Sequence, residues 1–212
     1  MLRPKSIFSI LLALSVLLSK AQGRWHFGQL HAREAIGYVT VSHGAALRIN
    51  ENNKLFSDET SLGSGFNMIN EPGVGAGGWY CVVEAKPKKI DKIDKIYIPE
   101  SYDPWTPRGR VRRQLWDGSG EFVLDYIRSK PLISDPDKAL RFSWFQYEGA
   151  EWRLQMVIPA RTISEGNLGL WAKCFEAQRD LMAYSDKVIQ WDTWTIEGEL
   201  GQRPDADRRT SS

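Results

Sequence analysis

The stretch LRFSWFQYEGAEWRLQMVI, residues 140–158, decides how the chain is expected to fold. Side chains alternate strictly in it. Phe142 and Trp144 share one face of a first run, and Trp152, Leu154 and Met156 share one face of a second. Glu148, Gly149 and Ala150 between them are short, polar or flexible enough to turn the chain. This is the pattern of an antiparallel hairpin whose register is fixed, because a slip by one residue would exchange its apolar and polar faces.

Runs of the same kind extend outward in both directions. GYVTVS at 37–42 ends at a turn candidate, His43-Gly44, after which Ala45, Leu47 and Ile49 resume an apolar face. WYCVVE (79–84), IDKIYI (93–98), EFVLDYI (121–127), LGLWAKCF (168–175) and KVIQWDTWTI (187–196) complete the set. Nine strands in one domain predict an all-β or β-rich fold, an antiparallel β-sandwich or barrel with one or two short helices. Residues 25–35 and 176–185 are the helix candidates. Residues 57–78, rich in Gly, and 99–120, with Pro99, Pro104 and Pro107, read as long irregular segments.

The chain has 212 residues, 42% hydrophobic and 25% charged, enough for one domain with a full core. Its beginning carries Arg3 and Lys5, an apolar run from Ile7 to Leu18, and small residues up to Ala21, as a secretory leader does. That run is shorter than the roughly 20 residues a membrane span needs, so no span is expected. The expected organisation is a leader over 1–21, a single β-rich domain over 22–200 and a disordered polar tail over 201–212. Loss of the leader removes Arg3, Lys5 and Lys20 and turns the formal charge of +2 slightly negative, which weakens any nucleic-acid reading.

Cys81 and Cys174 are the only cysteines. A secreted chain passes through an oxidising compartment, so the two are expected to form one disulfide. With three scattered histidines they make no metal-ligand spacing, and neither metal nor cofactor is expected.

Several constellations bear on function. GVGAGG, 73–78, precedes a strand and lacks the Lys-Ser/Thr ending of a phosphate-binding loop, so it reads as a flexible connection. RGRVRR, 108–113, is the densest basic segment, and Arg110, Arg112 and Arg113 match a dibasic processing site or an anion-binding patch. His31 with Glu34 supplies the residue types of an acid–base pair without a recognised spacing. Glu148, Glu151, Asp192 and Glu197 are the carboxylates from which a glycosidase pair would have to come. No catalytic residue is assigned. Trp191 and Trp194 fall on opposite faces of the expected strand 187–196, so one of them should face outward as a binding anchor for a protein partner or a sugar ring. Trp79, Trp105 and Trp116, around the long segments, come next.

The leader, the single Cys pair and Trp-rich strands such as RFSWFQYEGAEWRLQMVIP together resemble a small secreted effector of a plant-associated biotrophic fungus, for instance of the smuts. The resemblance implies secretion, with later entry into host cells open, and a non-enzymatic action on a host protein partner. The alternative is a carbohydrate-binding module or carbohydrate-active enzyme of sandwich architecture, with a glycan as ligand.

Overall fold

The computed structural model describes residues 32–75, 77–116, 118–147 and 151–204. The leader, His26, His31, the turn 148–150 and the tail from 205 onward lie outside the described residues.

One open seven-stranded sheet organises the protein. Its strands are β1 (Glu34–Val41), β2 (Gly65–Ile69), β3 (Trp79–Ala85), β4 (Lys95–Tyr97), β9 (Leu140–Tyr147), β10 (Glu151–Pro159) and β11 (Trp171–Phe175). They lie in the order β11-β3-β1-β2-β10-β9-β4. Every pairing is antiparallel except β4 with β9, which is parallel. The hairpin expected at 140–158 is present in the expected register, Phe142 opposite Met156 and Trp144 opposite Leu154. Two small ladders, β5 (Ser101–Tyr102) with β8 (Arg113–Gln114) and β6 (Trp105–Thr106) with β7 (Gly109–Arg110), build up the 99–120 segment.

The sandwich or barrel is overturned, because helices cover both faces of the sheet. There are five among the described residues: α1 (His43–Asn52), α2 (Pro87–Ile90), α3 (Gly120–Arg128), α4 (Ala160–Glu165) and α5 (Gln178–Tyr184). The fold is mixed α/β. On β3, Cys81 and Val83 pack with Ala46 and Ile49 of α1, whereas Val82 between them packs with Leu181 of α5. On β10, Met156 belongs to the α1 side, and Val157 packs with Val123 and Ile127 of α3. Alternation along these strands therefore feeds two cores, one on each face.

Three expected strands fail for identifiable reasons. After Ser42 the chain does not return as a strand. Ser42 caps α1 by accepting from the Ala45 N–H, and Ala46 and Ile49 are buried at helical spacing while Leu47 is 52% exposed. EFVLDYI forms α3, capped by Ser119, with Val123, Tyr126 and Ile127 inward at i, i+3 and i+4. In 187–196 no strand forms, and a 3-10 turn spans Trp191–Thr193. Conversely, β2 arises inside the segment expected to be a long loop, with Gly65 set so closely against the Ile158 carbonyl that no Cβ would fit. The helix expected at 176–185 is α5.

The outer edge of β11 is closed by side chains of α1 and its cap. Asn50 donates to the Cys174 carbonyl at 3.0 Å and accepts from the Cys174 N–H at 2.8 Å, while Asn53, in the left-handed conformation, donates to the Ala172 carbonyl. These amides stand in for a neighbouring strand and leave no free edge there. Cys81 and Cys174 face each other across β3 and β11 and form the expected disulfide.

Candidate functional site

Of the two expected binding anchors, Trp191 is buried and Trp194 is only partly exposed. Trp191 is 1% exposed, donates its indole N–H to the Ile36 carbonyl and packs edge-on to Phe142 at 5.4 Å. Trp194 is half-buried against the same Phe142, with Lys95 over its ring. Both indoles belong to the core on the α1 side of the sheet, which follows from the turn that replaces the expected strand.

The basic segment divides into two parts. Arg113 is framework: it pairs with Asp125 at 2.8 Å, lies over Phe122, and sits in β8, so the peptide bond a processing protease would cut is held in a ladder. Arg110 and Arg112 are exposed, the first over the Trp105 ring and the second donating to the Ser101 hydroxyl. Among the other candidates, Gly77 and Gly78 lead directly into β3, and the Val74 carbonyl accepts from the Thr40 hydroxyl. Glu151 is bound to Arg153, Asp192 lies near the Tyr97 phenol and Glu197 near that of Tyr126, so these carboxylates are tied to separate surroundings.

The hairpin and the segment before α3 instead create a cleft of about 500 Å³ walled by Trp116, Trp144 and Trp152. Register makes Trp144 and Trp152 diagonal neighbours across β9 and β10. Trp116 comes from a distant part of the chain, is buried, and is fixed by donating to the Ile98 carbonyl at 2.9 Å. Trp144 donates to the Gly201 carbonyl. Between the indoles the lining is polar, with Ser61, Asn67 and Gln155 and the exposed Glu59 carboxylate. Gln155 is buried in the sheet with its amide nitrogen donating to the hydroxyls of Ser61 and Ser143, both at 2.9 Å. Such a lining offers flat apolar faces for stacking beside neutral hydrogen-bonding groups. Sequence marked Trp144 and Trp152 as strand residues and Trp116 as a loop residue, but nothing in the spacing brings the three together.

A second cleft, of about 590 Å³, is bordered by Glu34, Glu84, Asp186 and Tyr184. Burial first, then its hydrogen bond to Glu84, pushes the Tyr184 phenol up to about 12. Glu34 thus belongs to an acidic surface. Among the described residues no group of three or more His, Cys, Asp or Glu could hold a metal ion, and no helix is long and apolar enough to cross a membrane.

Fold and cleft define an α/β protein with an aromatic-walled cleft. Residues 60–199 match the model of a family described as a family of unknown function, DUF5910, and the chain belongs to that family. The match includes β2, the hairpin and all the tryptophans of the cleft. Comparison with curated proteins and with solved structures gives no match.

Proposed function

We propose that the protein is a secreted binding protein of the effector kind its sequence resembles, and that the cleft between Trp116, Trp144 and Trp152 holds a saccharide. The observation that carries this reading is the convergence of two indoles of the hairpin and a third from the segment before α3 on one cleft lined mainly by uncharged polar groups. A pyranose ring presents an apolar C–H face that stacks on an indole and a rim of hydroxyls that pair with amide and hydroxyl groups, here Asn67, Gln155 and Ser61. Glu59 adds one acceptor at an exposed position. The resemblance implied a host protein partner, with Trp191 or Trp194 as a candidate anchor; both indoles pack on Phe142, and we take the cleft as the binding surface in their place.

The test is titration of neutral cell-wall oligosaccharides against the chain and against Trp152→Ala. A saccharide that binds the wild type should bind the variant about 30-fold more weakly, the scale of a stacking anchor. Equal affinity for the two proteins, or no binding by any saccharide, would remove the proposal.

A further inference from the structure

The most exposed apolar side chains lie away from the cleft. Trp105 is 77% exposed, Leu132 72% and Val111 46%. Trp105 and Val111 belong to the finger formed by the two small ladders, whose tip turns at Pro107 and Arg108 through Gly109 in a conformation with φ 104°, with open space around it. The finger stands on α3: Tyr102 packs edge-on to Tyr126 at 5.4 Å, and Arg113 pairs with Asp125. Leu132 follows directly from the end of α3. The finger carries more cationic than acidic side chains, with Asp103 its exposed carboxylate. Arg108, Arg110 and Arg112 are exposed, and none has a carboxylate at ion-pair distance among the described residues.

We propose that this finger, with Trp105 and Val111 as apolar points and Arg108, Arg110 and Arg112 as phosphate contacts, docks the protein on an anionic phospholipid surface. The pattern suits that partner better than others. An indole settles at the boundary between headgroups and acyl chains, and arginines beside it meet lipid phosphates. A nucleic acid would use the arginines and Trp105 but has no use for exposed Val111. A specific protein interface needs about 800 Å² of complementary surface on each side with an apolar centre. Here separate apolar points stand among cations on a projecting element, which meets a broad surface and encloses nothing. The inference is independent of the saccharide cleft.

The experiment is flotation of the full chain with vesicles of phosphatidylcholine, with and without phosphatidylserine. Binding is expected to require phosphatidylserine, to weaken at high salt, and to fall about fivefold for each of the three arginines changed to Gln. Brominated phosphatidylcholine should quench Trp105, read as the difference between the wild-type chain and Trp105→Phe, a signal to which residues 1–31 contribute equally in both proteins. Three results overturn the proposal: binding indifferent to phosphatidylserine, Trp105 unquenched while the chain is bound, or no vesicle binding together with arginine-dependent retention on RNA or heparin. Should the triple arginine variant fail to fold, the Trp105→Phe comparison decides by itself.

Discussion

The indole rings of Trp116 and Trp152 lie 5.8 Å apart at 42° to one another, joining the segment before α3 to the second strand of the hairpin. One is anchored and buried and the other is half-buried, so the pair divides into a support and a contact face. Trp116→Ala should cost about 3–5 kcal/mol of stability, as loss of a buried indole does. Trp152→Ala should cost clearly less while changing the cleft. Urea denaturation of the two single variants measures the difference, and equal losses would show that Trp152 is a core residue.

Reduction of Cys81–Cys174 tests how the sheet is held. The bridge spans 93 residues of sequence, for which the chain-entropy model gives about 4–5 kcal/mol. Chemical denaturation with and without a reducing agent should show that loss. Intact mass of the native protein should show no alkylatable thiol.

Trp191 should behave as a core residue and not as a binding residue. Trp191→Phe keeps an aromatic ring but removes the donor to the Ile36 carbonyl, leaving a buried acceptor unpaired at a cost of about 1–3 kcal/mol. Trp191→Ala should lose about 3–5 kcal/mol. Thermal melts of both variants check the order.

Tyr126 sets an alkaline limit on stability. Burial first, then the Glu197 carboxylate, pushes its phenol from 10.0 up to about 12. A raised folded value means that the unfolded chain releases the proton first. The stabilisation is complete below pH 10 and is lost as pH rises to about 12, for a total of about 2–3 kcal/mol. Tyr126→Phe should change little at pH 7 and flatten that part of the pH–stability curve, leaving the contributions of Tyr38, Tyr97 and Tyr184, whose phenols burial also raises. A curve identical to wild type between pH 10 and 12 would contradict the assignment.

Burial of Lys95 lowers its amine below 10.5 despite Asp91 and Asp94 nearby. The unfolded chain then holds the proton more tightly, so stability is reduced below the folded value and recovers as pH approaches 10.5. Lys95→Met keeps an unbranched side chain of similar length and removes the buried charge with its contact to the Trp194 ring, and should raise the melting temperature at neutral pH. A lower melting temperature would mean that the bond from Nζ to the Ile93 carbonyl outweighs the cost of burial.

The sequence by itself determined what depends on neighbours in the chain. Alternation fixed the 140–158 hairpin and located β3 and β11 as strands; the pairing of Cys81 with Cys174 is expected from the oxidising route of a secreted chain, not from the strand pattern. It misread segments in which apolar residues fit two periods at once. In EFVLDYI, Phe122, Leu124 and Tyr126 satisfy a strand, while Val123, Tyr126 and Ile127 satisfy a helix. The choice fell to the helix because Ile96 of β4 and Val157 of β10 offer an apolar surface that Val123 and Ile127 cover. The sheet's second covering turned a supposed sandwich into an α/β fold in the same way, and it drew Trp191 inward. Only the tertiary structure decided the cleft. Trp116 meets Trp152 because the ladders of the finger return the chain to Ile98, and no local pattern records a contact made by that return.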